Sequence, residues 1–280
     1  MGNKNLEEFI LRSLSEDTGD GDHSSIASVP EVASGKARLL IKEEGIIAGI
    51  DMARQFYPLI DKGLTTDIKI EDGTHVVPGD IAFYVSGSIR SILKSERLLL
   101  NIMQRMSGIA TRTHEYTEKL EGLKTRILDT RKTTPGFRFF EKEAVRIGGG
   151  MNHRMGLYDM ILLKDNHIDY AGGIEKAIER TGEYLKKNHL SLKVEIEARN
   201  LNDVRRIIAA GGVDRIMLDN FNTEDTRKAV ELISGRYETE SSGGITLSTI
   251  RSYAECGVDF ISIGALTHHV RSLDMSLKAI

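Results

Sequence analysis

Short apolar runs alternate with amphipathic segments along the second half of the chain. Strands are predicted at RILD, MILLK, LKVEIEA, RIMLDNF, YETESSGGI and FISIGAL. Apolar residues recur at helical spacing over residues 173–188, 201–210, 223–233 and 247–255, which lie between the later strands. The last four strands recur roughly every 22 residues, the length of one strand–helix unit in a parallel barrel. Six strands are clear where a closed barrel needs eight, so either two lie within residues 133–159 or the barrel is incomplete.

The first part of the chain shows a different pattern. A helix is predicted over residues 6–14, and short β-type runs with turn signals occupy residues 33–95, with a helix inserted at residues 52–60. A long helix is predicted over residues 95–120, because apolar residues recur there three and four positions apart. These elements predict an antiparallel α+β module that precedes the barrel.

Composition and charge narrow the classes of function. A chain of 280 residues is long enough for one large α/β barrel or for two domains. The net charge of −3 predicts no binding of nucleic acid or of a membrane surface. No apolar run is long enough to span a membrane, and the charged N-terminus is unlike a secretory signal. The single cysteine, Cys256, excludes an internal disulfide and fits a reducing compartment, so we expect a soluble, cytoplasmic protein.

Cations gather near the ends of two predicted strands, RILD and MILLK. The polar residues there are Thr130, Arg131, Lys132, His153, Arg154 and Lys164. Parallel barrels carry function at the C-terminal ends of their strands, where arginine can grip a carboxylate or phosphate with two prongs and lysine acts as a point charge. Each cation alone could be a solvated surface charge, but the cluster predicts a site for anions. Arg97, near the start of the long helix, is expected from its position to face solvent.

Two carboxylates lie on one side of the strand LKVEIEA. Side chains alternate along a strand, so Glu195 and Glu197 are expected to point together into the barrel. Buried carboxylates need cations or a metal to offset them, and Lys132, Lys164 or Mg²⁺ could serve. A purely structural ion pair is the alternative. Asp219 ends the next strand along the chain.

The glycine-containing ends of the last two strands predict a phosphate site. Ser242, Gly243 and Gly244 lead towards a helix expected to begin near Thr246, and backbone N–H groups at such a start suit a phosphate. Gly264-Ala265 ends the final strand, where barrels of this kind often bind phosphate. Together with the cations and carboxylates, this site fits a phosphorylated sugar that meets a small polycarboxylate. The sequence contains no catalytic-nucleophile or zinc pattern, so we expect group transfer aided by electrostatics.

Seven separated motifs are similar to those of the quinolinate phosphoribosyltransferase family, the decarboxylating enzymes of NAD biosynthesis. They are DTRKTTPG, GGGMNHRMGLYD, LLKDNHI, VEIEA, MLDNF, ESSGGI and IGALTH. The resemblance implies an α/β fold with an N-terminal α/β sandwich over residues 1–107, to which a C-terminal helix at 268–280 returns, and an open α/β barrel over residues 108–267. It also implies a homodimer, sometimes assembled into a hexamer, that transfers phosphoribosyl from phosphoribosyl pyrophosphate to quinolinate.

The resemblance assigns roles to individual residues. Quinolinate would contact Thr130, Arg131, His153, Arg154, Lys164 and, across the dimer, Arg97 of the neighbouring subunit. Phosphoribosyl pyrophosphate would contact Lys132, Glu197, Asp219, Ser242, Gly243, Gly244, Gly264 and Ala265. Lys132, Lys164, Glu197 and Asp219 would be catalytic, and Mg²⁺ would lie near Glu197 and Asp219. The role of Glu195 stays open.

Two other functions remain as alternatives. A related phosphoribosyltransferase of the same fold, such as the molybdate-operon paralogue, would act on another small acid. The completeness of the arginine and histidine cluster argues against it. A non-catalytic barrel that senses phosphorylated metabolites would not need paired carboxylates, so Glu197 and Asp219 count against that interpretation.

Overall fold

The computed structural model describes residues 3–280, which form eleven helices and twelve strands. The helices are α1 (Asn3–Thr18), α2 (His23–Ser28), α3 (Ile50–Ile60), α4 (Ile89–Glu118), α5 (Arg138–Ile147), α6 (Asp165–Ala171), α7 (Ile174–Lys187), α8 (Leu201–Ala210), α9 (Thr223–Ile233), α10 (Ile250–Ala254) and α11 (Ala265–His268). The strands are β1 (Ser34–Ile41), β2 (Gly45–Ile46), β3 (Thr65–Ile68), β4 (His75–Val76), β5 (Ile81–Ser88), β6 (Arg126–Leu128), β7 (Ile161–Leu163), β8 (Val194–Ala198), β9 (Arg215–Asp219), β10 (Glu238–Ser242), β11 (Phe260–Ser262) and β12 (Met275–Ala279).

The chain forms two compact units, each of which is built from separate stretches of the sequence. The first, which we call the antiparallel unit, comprises residues up to 114 together with 135–149 and 269–280. The second, the barrel unit, comprises residues 115–134 and 150–268. Helix α5 therefore belongs to the antiparallel unit, although it lies between two barrel strands in sequence.

A four-stranded sheet in the order β12-β1-β5-β3 forms the centre of the antiparallel unit. Its strands pair antiparallel, and β1 buries every second side chain: Ala37, Leu39 and Ile41. This alternation places one face of the sheet in a core and the other towards solvent, as expected for an antiparallel sheet.

The C-terminal segment is a strand, and the prediction of a helix over residues 268–280 was wrong. Met275 and Leu277 are buried and alternate with the more exposed Ser276 and Lys278, which is the period of a strand. Strand β12 pairs with β1 in a register that places Leu277 opposite Leu39. The apolar residues of this segment are therefore buried by pairing at the sheet edge.

The long helix α4 begins at Ile89, six residues before the predicted start. The side chain of Arg90 donates hydrogen bonds to the carbonyl of Val29 at 2.8 and 2.6 Å. Ser88 Oγ accepts a hydrogen bond from the backbone N–H of Ser91 at 3.3 Å, which satisfies a donor of the first turn. These contacts stabilise a first turn that the apolar pattern did not show.

The barrel unit contains a six-stranded parallel sheet in the order β6-β11-β10-β9-β8-β7. The edge strands β6 and β7 do not pair with each other, so the barrel is open. Residues 133–159 contain α5 and one isolated bridge between Leu128 and Met151, and no further strand. The incomplete barrel was therefore the correct alternative. Because all six strands run the same way, their C-terminal ends meet at one edge.

Within residues 3–280, no helix combines the length and the apolar character that crossing a bilayer would require.

Alanine substitutions at two helical glycines, one in the antiparallel unit and one in the barrel unit, test how tightly each site is packed. A Cβ added at Gly108 in α4 would lie 2.1 Å from the carbonyl oxygen of Arg271, whereas one added at Gly182 in α7 would have no neighbour within 4 Å. We expect Gly108→Ala to lower the free energy of unfolding by about 1–3 kcal/mol through overpacking. Gly182→Ala should raise it by about 0.5–1 kcal/mol, because alanine loses less backbone entropy. Urea unfolding of both variants measures this, and equal stabilities would contradict the close approach at Gly108.

Candidate active site

A cavity of about 730 Å³ opens at the C-terminal ends of the barrel strands. Its predicted lining residues are Thr130, Arg131, Lys132, His153, Arg154, Lys164, Glu197, Asp219, Ser242, Gly243, Gly244, Gly264 and Ala265. Every barrel residue to which the motifs assigned a substrate or catalytic role therefore lines one cavity, whereas Glu195, whose role was left open, does not line it. Arg97 does not line it, and its side chain is exposed on α4 in the other unit.

Two arginine side chains, Arg131 and Arg154, line the same cavity. Arg131 follows β6, and its Nε is buried with no hydrogen-bond partner among the described residues. Arg154 is also buried, with Nη1 donating to the carbonyl of Met160 at 3.4 Å. Burial lowers the pKa of Arg154, and the positive charge of Arg131 lowers it further. The two cations therefore repel each other, and an anion between them would relieve that repulsion.

His153 belongs to a buried cluster of four charged or titratable side chains. The ring Nε2 of His153 lies 2.9 Å from Glu195 Oε2 and 3.5 Å from Glu240 Oε2. The guanidinium Nη1 of Arg215 lies 3.0 Å from the same oxygen of Glu240 and 3.9 Å from Glu195. Glu195 and Glu240 are completely buried. We call these four residues the barrel charge cluster.

The barrel charge cluster shifts the protonation of its members in different directions. Burial, followed by the charge of Glu240, raises the pKa of Glu195 to about 7. Burial also acts to raise the pKa of Glu240, but hydrogen bonds from His153 and Ser262 and the positive charge of Arg215 hold it below its ordinary value. Burial lowers the pKa of His153, and the two glutamates raise it by more. The backbone N–H of Arg154 donates to Nδ1 of His153 at 2.7 Å, so full protonation of the ring would break that hydrogen bond.

The sequence left a lysine, Mg²⁺ or a structural ion pair as the partner of Glu195, and in the structure its neighbours are His153 and Arg215. Glu240 and Arg215 were missed. Glu240 stands two residues before Ser242 in β10, so the alternation of strand side chains could have placed it on the cavity side. Arg215 pairs with Glu195 through the register of β9 with β8, which the sequence alone did not show.

Glu197 makes contacts that the sequence predicted only in part. Its Oε1 lies 2.7 Å from the ammonium of Lys164, as the charge argument suggested. Its Oε2 accepts a hydrogen bond at 2.8 Å from the backbone N–H of Asp165, the first residue of α6. Helix α6 was not predicted, and this carboxylate at its N-terminus helps to stabilise it.

Of the two carboxylates Glu197 and Asp219, that of Asp219 is less neutralised by nearby cations. Burial raises its pKa, and the negative charge of Glu197 raises it further. The side-chain amide of Asn220 donates to Asp219 Oδ2 at 2.7 Å, which opposes both effects. This carboxylate is therefore placed to interact with a cation or with hydroxyl groups.

The glycine loop after β10 differs from the prediction in where the next helix begins. Helix α10 starts at Ile250, not near Thr246, and it has only five residues. Gly243 and Gly244 adopt φ angles of 97° and 62°, which favour glycine and allow successive N–H groups to face the cavity. The loop backbone, and not the end of a helix, is thus the candidate phosphate cradle.

Gly264 is constrained by its neighbours across the same cavity. A Cβ there would lie 2.9 Å from His268 Nε2 and 3.1 Å from Lys132 Cδ. Thr267 Oγ1 donates to the carbonyl of Lys132 at 2.8 Å, which fixes the backbone that carries this lysine. The cavity also contains His268, Asn220 and Ser262, none of which the sequence had marked as a site residue.

Family models match both halves of the chain. The model described as "Quinolinate phosphoribosyl transferase, C-terminal domain" matches residues 109–278, and the corresponding N-terminal domain model matches residues 22–107. The chain belongs to the quinolinate phosphoribosyl transferase family. The resemblance that the motifs suggested is therefore confirmed.

Relatives extend this family match over nearly the whole chain. The chain is 44% identical to the decarboxylating quinolinate phosphoribosyltransferase 1 of Nicotiana glauca, covering 98% of this chain and 82% of that protein. It is 39% identical to the probable carboxylating nicotinate-nucleotide pyrophosphorylase of Bacillus subtilis, covering 99% and 94%. Its fold matches the crystal structure of NadC from Streptococcus pyogenes with a TM-score of 0.93 at 38% identity, covering 100% and 99% of the two chains. The predicted α/β fold of this family is thereby confirmed.

The barrel charge cluster predicts that the stabilities of Glu195→Gln and Glu240→Gln, each relative to wild type, change in opposite directions with pH. The raised pKa of Glu195 means that the folded protein binds a proton there more tightly than the unfolded chain does. This contribution to stability is lost as the pH rises from about 5 to about 8, so Glu195→Gln should gain stability relative to wild type over that range. The gain should be at most about 3 kcal/mol. Urea unfolding at a series of pH values measures it.

Glu240→Gln is the matched control. The lowered pKa of Glu240 contributes stability that is present above the ordinary glutamate pKa and is lost as the pH falls through the folded value. This variant should therefore be less stable than wild type at neutral pH, with a difference that shrinks in acid. Parallel pH trends for the two variants would contradict the assigned pKa directions.

Proposed function

We propose that this enzyme transfers the phosphoribosyl group of phosphoribosyl pyrophosphate to quinolinate, releasing pyrophosphate and CO₂ and forming nicotinate mononucleotide for NAD biosynthesis. Membership of the family supports this reaction. The observation that carries it is the pair Arg131 and Arg154 in one cavity, of which Arg131 has a buried unsatisfied donor and Arg154 has a pKa lowered by burial and by the charge of Arg131. Quinolinate carries two adjacent carboxylates, which match two adjacent guanidinium groups.

The cationic side of the cavity is proposed to hold quinolinate. Arg131 and Arg154 would each bind a carboxylate, with Thr130 and His153 completing the wall. Lys164 would lie between the two substrates, and its ammonium is already held by Glu197 at 2.7 Å. Because that pair is half-exposed on the lysine side, Lys164 can exchange Glu197 for a substrate oxygen without desolvating a new charge.

The opposite side of the cavity is proposed to hold phosphoribosyl pyrophosphate. The loop residues Ser242, Gly243 and Gly244, with Gly264 and Ala265 on the next strand end, would bind the 5-phosphate through backbone N–H groups. Lys132 would contact the pyrophosphate, and its backbone is fixed by Thr267. Glu197 and Asp219 would accept hydrogen bonds from the ribose hydroxyls.

The same carboxylates fit Mg²⁺. Asp219 presents oxygen ligands and has a pKa raised by burial and by Glu197, so a cation beside it would relieve unfavourable negative charge. Mg²⁺ bound with the pyrophosphate would supply neutralisation of the leaving group's charge. We propose that Glu197 and Asp219 are the residues facing it.

The proposed transfer needs orientation more than acid or base catalysis. The lone pair of the pyridine nitrogen forms the new bond to the anomeric carbon of the ribose while the bond to pyrophosphate breaks. No proton is removed in this step, so a general base is unnecessary. Placing two anionic substrates together is the main requirement, and the cations Arg131, Lys132 and Lys164 serve it by position and charge.

Loss of CO₂ follows from the charge created by the transfer. The new pyridinium nitrogen stabilises the carbanion left when the neighbouring carboxylate departs, and that carbon then takes up a proton. The protein would hold the retained carboxylate with a paired arginine. The departing carboxylate would be less solvated in the cavity than in water, which favours its neutral product.

We also propose that the protein is a cytoplasmic homodimer that can assemble into a hexamer. In this dimer, Arg97 of one subunit would serve the quinolinate site of its neighbour. Arg97 is exposed on α4 and is not among the residues that line the cavity of its own chain, which is compatible with this role.

An end-point assay tests the reaction. Purified protein with quinolinate, phosphoribosyl pyrophosphate and Mg²⁺ should form nicotinate mononucleotide and CO₂ in equal amounts, with no product when Mg²⁺ is chelated. Nicotinate in place of quinolinate should give no product, because it lacks the second carboxylate. Turnover of another small acid with none of quinolinate would instead favour a related phosphoribosyltransferase.

A conservative pair of variants locates the substrate in that assay. Arg131→Lys should raise the KM for quinolinate roughly 10- to 100-fold, since lysine cannot form the two-pronged contact. Arg126→Lys is the control, because Arg126 is exposed at the opposite end of the same strand. Equal effects of the two substitutions would exclude Arg131 from the binding site.

Mixed dimers test the proposed role of Arg97. Arg97→Ala and Arg131→Ala should each be strongly impaired alone. When the two chains are co-expressed and mixed dimers are isolated with two affinity tags, one site per dimer would contain both arginines. An unfractionated equal mixture should then recover about one quarter of wild-type activity. No recovery would mean that Arg97 acts within its own chain, whereas a fully active Arg97→Ala variant would mean that Arg97 has no role. Lys94→Ala on the same helix should leave activity unchanged.

A further inference from the structure

Asn220 adopts a backbone conformation that is unusual for a residue with a side chain. It follows β9 directly and has a φ angle of 57°, in the left-handed region. Asparagine is among the few residues other than glycine that tolerate this region. Glycine would adopt it at lower cost, so the side chain at this position needs an explanation.

The contacts of Asn220 reach two neighbouring strand ends. Its side-chain amide donates to Asp219 Oδ2 at 2.7 Å, and its backbone N–H donates to the carbonyl of Ser242 at 2.9 Å. Asp219 and Ser242 are themselves paired in the register of β9 with β10. The residue thus joins the carboxylate that ends β9 to the first residue of the glycine loop.

Gly243 brings the glycine loop into direct contact with this asparagine. A Cβ at Gly243 would lie 2.2 Å from Asn220 Oδ1 and 2.9 Å from its backbone nitrogen. The loop can therefore occupy its position only because Gly243 has no side chain. The amide is held between Asp219 on one side and the loop backbone on the other.

The far side of the turn is also anchored. Tyr253 Oη in α10 donates to the carbonyl of Phe221 at 2.9 Å, and Asn222 caps α9 by accepting from the backbone N–H of Asp225 at 2.8 Å. With both ends of the turn fixed, the amide of Asn220 cannot follow a displaced carboxylate or loop without strain.

We propose that Asn220 is a positioning residue that sets the distance between the Asp219 carboxylate and the Gly243 loop, so that both meet the ribose and the 5-phosphate of one phosphoribosyl pyrophosphate molecule. The inference rests on the proposed function and adds a residue to it. A donor is required on the Asp219 side, because a second carboxylate there would repel the first. A short side chain is required on the Gly243 side, because the loop leaves no further space.

Two substitutions separate these requirements. Asn220→Gly keeps the left-handed backbone and removes the amide, whereas Asn220→Asp keeps the shape and replaces the donor by a carboxylate oxygen. Both should raise the KM for phosphoribosyl pyrophosphate roughly 10- to 100-fold, the effect of losing a hydrogen bond to a charged group. The KM for quinolinate, measured at saturating phosphoribosyl pyrophosphate, should stay within about twofold.

A double-mutant cycle tests the contact with the loop. Gly243→Ala should weaken binding of ribose 5-phosphate strongly in the wild-type background and less in the Asn220→Gly background, where the side-chain clash is gone. The strain of alanine at a positive φ angle is common to both backgrounds and cancels in the cycle. Additive effects of the two substitutions would overturn the proposed coupling.

Controls distinguish positioning from stability. Asn200→Ala removes the N-cap of α8 and should lower the Tm without changing either KM, while Ser234→Gly relaxes another left-handed residue outside the cavity and should change neither KM. A KM for phosphoribosyl pyrophosphate in Asn220→Gly within twofold of wild type would overturn the proposal.

If wild type binds ribose 5-phosphate but shows no turnover, the proposed function fails. The affinities of wild type and Asn220→Gly for ribose 5-phosphate would then still decide the role of Asn220, with a loss of roughly tenfold expected.

Discussion

Charge buried inside the barrel is the constraint on which the active site depends. Glu195 and Glu240 are completely buried, and carboxylates in such a place are unfavourable unless cations and hydrogen bonds offset them. Arg215 and His153 provide the offset from opposite sides. Because Nδ1 of His153 also accepts the backbone N–H of Arg154, the segment that carries this arginine is tied to the barrel charge cluster. Arg154 is thus held in the cavity wall by its link to these buried charges.

The cavity next to this cluster carries positive charge on one side and negative charge on the other. Arg131 and Arg154 repel each other on one side, whereas the carboxylate of Asp219 lacks full neutralisation on the other. Lys164 and Glu197 form a bridge between the two sides. A cavity with unsatisfied charge of both signs is prepared for ligands that bring the complementary charges, and much of the reorganisation that water would require is already complete. This is the physical basis for a group transfer that needs no nucleophile from the protein.

Backbone geometry determines how closely the strand ends approach. Gly243 lets its loop lie against Asn220, and Gly264 lets the end of β11 lie against Lys132 and His268. At both places a methyl group would meet an atom of a neighbouring element closer than van der Waals contact. Because neither glycine has a side chain, the loop after β10 and the end of β11 can approach Asn220 and Lys132 closely.

The sequence by itself determined the parallel barrel and the residues of its mouth. The carboxyl ends of parallel strands meet at one edge whatever the details of packing, so Arg131, Lys164 and Asp219 could be placed together from chain position alone. The α5 segment, by contrast, joined the other unit, and the C-terminal segment became a strand because β1 offered an edge for pairing. The first outcome has no local signal, and the second has only the short alternation of Met275, Ser276, Leu277 and Lys278.

Only the tertiary structure decided which charges meet. The partners of Glu195 are His153 and Arg215, which are distant in sequence and come close through the register of β8 with β9 and the return of the chain after α5. Register and strand order depend on the packing of the whole sheet, whereas hydrophobic periodicity depends only on near neighbours along the chain. The sequence could therefore identify the elements and the cavity residues, while the pairing of buried charges required the folded chain.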